Sequence, residues 1–192
     1  FYCFGVALGD VNGDGRLDLA CTAGESYDGH PERLRVYFNT GGSFAATPDW
    51  QSNDSGYALD VTWADVDLDG DLDLAASGEI SANRVYFNRF SEGGGLDTAA
   101  GWTSTDSPSY ANTIAFGDWN GDGYPDLAVA DNSQLGGVGR FKVYANNLGA
   151  QDGDSQPNSD IWGNAGLFVL QREWDFVLIE NKSDRKLVVD RI

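Results

Sequence analysis

Basic charge is scarce in this 192-residue chain: twelve Lys and Arg stand against thirty Asp and Glu, a net charge of −18. A field of that sign repels nucleic acid and anionic lipid and suits divalent cations. Cysteine is nearly absent. Cys3 and Cys21 cannot define a disulfide scaffold, and their spacing fits no zinc pattern. They flank one loop, where a single disulfide and two unpaired core thiols both remain open. The one histidine, His30, sits in Tyr27-Asp28-Gly29-His30-Pro31-Glu32, a stretch between strands that reads as surface. No Gly-x-Ser-x-Gly or Ser-x-x-Lys element offers a nucleophile, and there is no Arg-Gly-Asp triplet. The chain is therefore expected to be non-catalytic. No apolar run approaches the roughly 18 residues that a membrane span needs, and no basic-then-apolar leader is present, as in a mature or partial chain. Prolines number five against twenty-five glycines, which excludes a polyproline stalk and implies many tight turns.

What is present is a core and a repeat. Apolar residues make up 41% of the chain, with six Trp, eight Tyr and ten Phe, too hydrophobic for wholesale disorder. Three segments align: residues 6–20 (VALGDVNGDGRLDLA), 61–75 (VTWADVDLDGDLDLA) and 114–128 (IAFGDWNGDGYPDLA). Their first aspartates, Asp10, Asp65 and Asp118, lie 55 and then 53 residues apart. Each is followed by a related stretch, Arg35-Val36-Tyr37-Phe38-Asn39, Arg84-Val85-Tyr86-Phe87-Asn88 and Lys142-Val143-Tyr144-Ala145-Asn146. Trp50 and Trp102 mark seams, dividing residues 1–150 into units of about 1–49, 50–101 and 102–150.

Apolar residues alternate on both sides of each loop: Val6 and Leu8 before, Leu19 and Cys21 after, with the same pattern in the other two units. Period two means strands. Ala20, Ala75 and Ala128 occupy the opposite face and are small enough for a second sheet to pack closely. A third strand falls at each Val-Tyr stretch, and a fourth is expected upstream of the next loop, around 58–64 or 112–117. Units of about 50 residues with three or four short strands fit the blades of a β-propeller. The fold class is all-β, a partial propeller of about three antiparallel blades.

The loops read Asp-x-Asp/Asn-x-Asp-Gly-x-x-Asp. Calcium takes six to eight oxygens at about 2.3–2.6 Å. Asp10, Asn12, Asp14 and Asp18 can supply side-chain oxygens in the first loop, Asp65, Asp67, Asp69 and Asp73 in the second, and Asp118, Asn120, Asp122 and Asp126 in the third. The seventh position varies, as Arg16, Asp71 and Tyr124, which fits a ligand that gives only its carbonyl. Gly15, Gly70 and Gly123 stand where the chain turns back around the ion, with positive φ expected. Leu17, Leu72 and Pro125 are expected to cover the ion from below. An EF-hand is excluded: its twelfth position needs a glutamate, and Cys21, Ala76 and Val129 stand there. Without a cation the converging carboxylates repel, so about three Ca2+ ions are expected, coupled to folding.

These loops resemble the FG-GAP repeat family, also described as VCBS-type repeats, over about residues 1–150. Phe4-Gly5 resembles the Phe-Gly part of that motif; Leu59-Asp60 and Asn112-Thr113 replace it in the other units. The resemblance implies a calcium-binding propeller, usually seven-bladed, with extracellular or periplasmic and cell-surface roles in recognition, adhesion and scaffolding toward a protein or glycan ligand. The alternative is the non-catalytic or carbohydrate-binding part of a secreted polysaccharide-acting enzyme, with Trp50, Trp102 and Trp119 as candidates to stack on sugar. Asn53-Asp54-Ser55 and Asn181-Lys182-Ser183 match N-glycan acceptor patterns. Three units do not close a ring of four to eight blades, so missing blades of a longer protein, or other chains, are expected to complete it. Residues 151–165 read as a polar linker. Residues 166–192 hold one glycine with five acidic and five basic residues and read as β-rich, either the start of another domain or a degenerate blade.

Overall fold

A computed structural model describes residues 3–24, 26–105, 109–131, 141–146 and 162–163. The described residues form strands, turns and loops, with no helix long and apolar enough to cross a membrane. The expected segment 166–192 and most of the expected linker lie outside the described residues.

The first unit is one antiparallel sheet of β1 (Val6–Gly9), β2 (Asp18–Cys21), β3 (Arg35–Tyr37) and β4 (Trp50–Gln51), hydrogen-bonded in that order. The second unit holds β5 (Val61–Ala64), β6 (Asp73–Ala76), β7 (Glu79–Ser81), β8 (Arg84–Tyr86) and β9 (Trp102–Thr103), with sheet order β5-β6-β8-β9. The third contains β10 (Ser109–Gly117), β11 (Asp126–Asp131), β12 (Phe141–Asn146) and β13 (Trp162–Gly163). There β7 leaves its own unit and pairs with the start of β10. The first strands of the three sheets are spatial neighbours, with β5 between β1 and β10, so the sheets fan out from adjoining inner strands as propeller blades do.

Register repeats with the sequence. Val6 faces Cys21, Val61 faces Ala76 and Ile114 faces Val129, while Ala20, Ala75 and Ala128 pair with Val36, Val85 and Val143. Because side chains alternate across a strand, each sheet has two apolar faces. One core lies between the first and second sheets, where Val11, Ala20, Val36 and Trp50 meet Val61, Leu74, Ala76 and Tyr86. The other lies between the second and third, where Val66, Ala75, Val85 and Trp102 meet Ile114, Leu127, Val129 and Tyr144.

Two expectations shift by one strand. Trp50 and Trp102, expected at the seams, are the outer strands of the sheets that precede them, paired with Val36 and Val85. The stretch around 58–64, expected to hold a fourth strand, instead supplies the first strand of the next sheet. Trp162 and Gly163, inside the expected linker, pair with Asn146 and Ala145 and so extend the third sheet. Both cysteines are free thiols. Cys21 is buried, and desolvation with the Cys3 thiol beside it pushes its pKa up to about 11.

Candidate metal centre

Each of the three loops links the first and second strands of its sheet, and each is closed by its last aspartate. Asp18, Asp73 and Asp126 are buried and act as identical clamps. Their Oδ2 atoms accept the N–H of Val11, Val66 and Trp119, at 3.2, 2.8 and 3.0 Å. Their Oδ1 atoms accept the N–H of Asn39, Asn88 and Asn146, at 2.8, 2.7 and 2.7 Å. A residue expected only as a metal ligand thus also ties the loop to the third strand. Burial raises the pKa of all three, that of Asp73 to about 7.

The turn itself is built by glycine. Gly15, Gly70 and Gly123 have φ of 83, 95 and 92°, a region that costs an L side chain about 1–2 kcal/mol. At the fourth position Gly13 and Gly121 are also left-handed, and in the second loop Leu68 is held there at φ 61°. Tertiary context imposes the same backbone on a residue that disfavours it.

The three loops differ in what their oxygens do. In the first, Asp10 accepts from Asp14 N–H (3.0 Å) and Gly15 N–H (2.8 Å), and Asn12 Oδ1 from Asp14 N–H (3.1 Å). Asp14 accepts from Arg16, through its N–H at 2.9 Å and its guanidinium at 2.5 Å. The third loop is alike: Asp118 accepts from Gly121, Asp122 and Gly123. Asn120 Oδ1 accepts from Asp122 N–H, and Asp122 from Tyr124 N–H.

The second loop keeps the glycine bond, Gly70 N–H to Asp65 Oδ2 at 3.0 Å, but not all of its oxygens are satisfied in this way. One oxygen from each of Asp65, Asp67 and Asp73 lies within 4.8 Å of the others, close enough to hold one metal ion. Asp65 Oδ1 and Asp67 Oδ1 are buried without a hydrogen-bond partner. Burial, and then the neighbouring Asp69, raises the pKa of Asp67. Asp69 is exposed and accepts Asp71 N–H at 2.9 Å. The Asp71 carboxylate turns away to Ser91 N–H at 2.6 Å, so only its carbonyl is left for an ion. Buried carboxylate oxygens without donors are costly. A hard divalent cation is the group whose chemistry this donor set fits.

The asparagines after the Val-Tyr stretches were legible as a repeat but carried no expected role. Asn88 Nδ2 donates to Val11 O, and Asn146 Nδ2 to Val66 O, each at 2.8 Å. Each therefore crosses to the loop of the preceding sheet. Leu17 and Leu72, both expected to cover an ion, stand in different settings. Leu72 packs near Gly9 of the first sheet, where its Cδ1 lies 3.0 Å from a Cβ built on that glycine, and Leu17 is exposed. Trp50 and Trp102 pack edge-on against Tyr86 and Tyr144, at centroid distances of 5.5 and 5.2 Å, inside the cores. Trp119 is half-buried.

Residues 10–76, from the first loop to the end of β6, match a family model described as an FG-GAP-like repeat. A search of curated proteins found no match.

Proposed function

We propose that this chain, which carries an FG-GAP-like repeat over residues 10–76, is a calcium-stabilised, non-catalytic β-propeller-type module. Its role is binding, adhesion or scaffolding outside the cytoplasm, toward a protein or glycan ligand. One observation carries the calcium reading: the two buried, unpartnered oxygens of Asp65 and Asp67 beside Asp73. In the second loop Asp65, Asp67, Asp69 and Asp73, with the Asp71 carbonyl, would hold the ion. Asp10, Asn12, Asp14, Asp18 and the Arg16 carbonyl are the equivalent set in the first loop. Asp118, Asn120, Asp122, Asp126 and the Tyr124 carbonyl are that of the third.

The ion's work is structural. It neutralises carboxylates at the turn between two core strands and leaves the clamp bonds of Asp73 in place. Extracellular modules bind calcium at about 0.1–1 mM, which suits loops whose oxygens first have to exchange backbone donors for the ion. A site at a hundred times its Kd adds about 2.7 kcal/mol to stability. Calorimetric titration with calcium, and melting in millimolar calcium against chelator, test this. Saturable binding with a raised Tm is expected. No heat and an unchanged Tm at millimolar calcium would sink the reading.

A further inference from the structure

Asparagine followed by glycine occurs at Asn12-Gly13 and at Asn120-Gly121, both times within the stretch Asn-Gly-Asp-Gly. Both pairs hold the third and fourth positions of their loops, where the second loop has Asp67 and Leu68. Such a pair can react with itself. The backbone nitrogen of the glycine attacks the side-chain Cγ of the asparagine, and glycine has no Cβ to obstruct the approach.

In both loops the carbon under attack is prepared alike. Asn12 Oδ1 accepts Asp14 N–H at 3.1 Å, and Asn120 Oδ1 accepts Asp122 N–H at 2.8 Å. A donor there supports the negative charge that the oxygen takes up when Cγ is attacked. The attacking nitrogens differ. Asp118 Oδ1 accepts both Gly121 N–H, at 2.7 Å, and Asp122 N–H, at 3.1 Å. Asn120 Nδ2 is also held, by Asp122 Oδ2 at 2.9 Å. The bond from Gly121 to a carboxylate is charge-assisted, and it has to break before the nitrogen can turn to Cγ. In the first loop Asp10 Oδ1 accepts Asp14 N–H, at 3.0 Å, and Gly13 N–H meets no acceptor among the described residues. Gly13 is exposed, and the nearest atom to a Cβ built on it is in the Phe90 ring, at 3.9 Å. That openness belongs to the loop tip rather than to the end of the array. Leu68, the counterpart of Gly13, is 51% exposed although its sheet is packed on both sides.

We propose that Asn12 is a deamidation site, more reactive than Asn120 because its loop leaves the attacking nitrogen of Gly13 unheld. The Gly13 nitrogen bonds to Asn12 Cγ, the Cγ–Nδ2 bond breaks, and the proton from Gly13 leaves with Nδ2 as ammonia. Water then opens the succinimide at either of its carbonyls. One opening leaves aspartate at position 12; the other leaves isoaspartate, with the side-chain carbon drawn into the backbone. The net change consumes water and releases ammonia, with no oxidant or reductant. Either product adds a negative charge to the first loop, at the position where the second carries Asp67. The aspartate product reproduces the Asp-x-Asp-x-Asp order of the second loop, whereas isoaspartate lengthens the backbone at the turn.

Peptide mass spectrometry on the full chain tests this, after incubation in chelator at mildly alkaline pH below the Tm, with a parallel incubation in urea. The chelator keeps the result separate from the calcium reading. Each site's rate in the folded chain is taken relative to its own rate in urea, which removes any difference of sequence. That ratio is expected to be several-fold larger at Asn12 than at Asn120, with both aspartate and isoaspartate formed at position 12. Equal ratios overturn the proposal, as does a larger one at Asn120, because the bond to Asp118 then protects nothing. So does an Asn12 that stays intact in the folded chain while it reacts in urea. Aspartate formed without isoaspartate also overturns it, since direct hydrolysis of the amide needs no attack by Gly13.

Discussion

Asp67 is the residue at which the demands of folding and of metal binding oppose each other most directly. Its counterparts Asn12 and Asn120 are amides whose Oδ1 atoms accept a backbone N–H two residues on. Asp67 keeps a buried oxygen without a donor, and burial beside Asp69 disfavours its charge. An amide there removes repulsion when no ion is bound and a charged ligand when one is. Asp67→Asn is therefore expected to raise Tm in chelator while weakening calcium binding at the second loop by about tenfold, roughly 1.4 kcal/mol. Melting curves with and without calcium, together with a titration, read both signs at once. A variant that lost stability in chelator would show that Asp67 serves the fold without an ion. The same comparison made with Asn12→Asp in the first loop is expected to move both quantities the opposite way. Gly24 shows how little freedom some turn residues have. With φ of 96°, a Cβ there would lie 2.1 Å from Gly56 O, against backbone that holds Glu32 by hydrogen bonds in both directions.

Between neighbouring sheets, the asparagine bonds act as cross-ties whose loss should register as stability. Asn88→Ala leaves the Val11 carbonyl buried without its donor, a cost of about 1–3 kcal/mol. For a chain of this size that lowers Tm by roughly 2–4 °C per kcal/mol. Asn39→Ala, measured on monomeric protein, removes bonds within its own loop and turn but no bond between sheets. A smaller shift is expected, and an equal or larger one would deny the cross-tie its role. The repeat of the sheets was legible because period-two alternation and the aspartate loops recur in register. The strands flanking each loop lie where Val6 and Leu8, Leu19 and Cys21, and their equivalents predicted them. The outer strands were misplaced because they are two residues long: Trp50–Gln51 and Trp102–Thr103 are too short to show any period. Strand β7 escaped for another reason. Ile80 has φ of 58°, and the partner of β7 belongs to the next unit, a long-range choice that no local pattern encodes. The loops were legible as aspartate clusters. Their inequivalence was not, because it depends on which backbone N–H groups fold inward to meet each oxygen.

At the scale of the whole molecule, each of the two cores among the described residues joins two consecutive sheets, as in a short linear array, where stability is approximately a sum of unit and interface terms. The second sheet has an interface on both sides; the first and third each have one among the described residues. Its central strand β6 is buried at every position, while β1 is buried only at Gly9. Local opening follows such differences in buried apolar contact, so amide exchange in the monomer should be slowest in β6 and β8 and faster in β1 and β10. Calcium, on the proposed reading, would add a second gradient. An ion in the second loop would stabilise the turn between β5 and β6, and neighbour coupling would pass part of that gain to the sheets on either side. Chelation is therefore expected to speed exchange first at β5 and β6, and next at Val11 and Asn146, whose bonds touch the second unit. Hydrogen–deuterium exchange followed by mass spectrometry, at low protein concentration in calcium and in chelator, measures both gradients. If all three sheets exchanged at one rate under both conditions, the array would unfold as a single cooperative block, and the ion's effect would not be local to the loop that holds it.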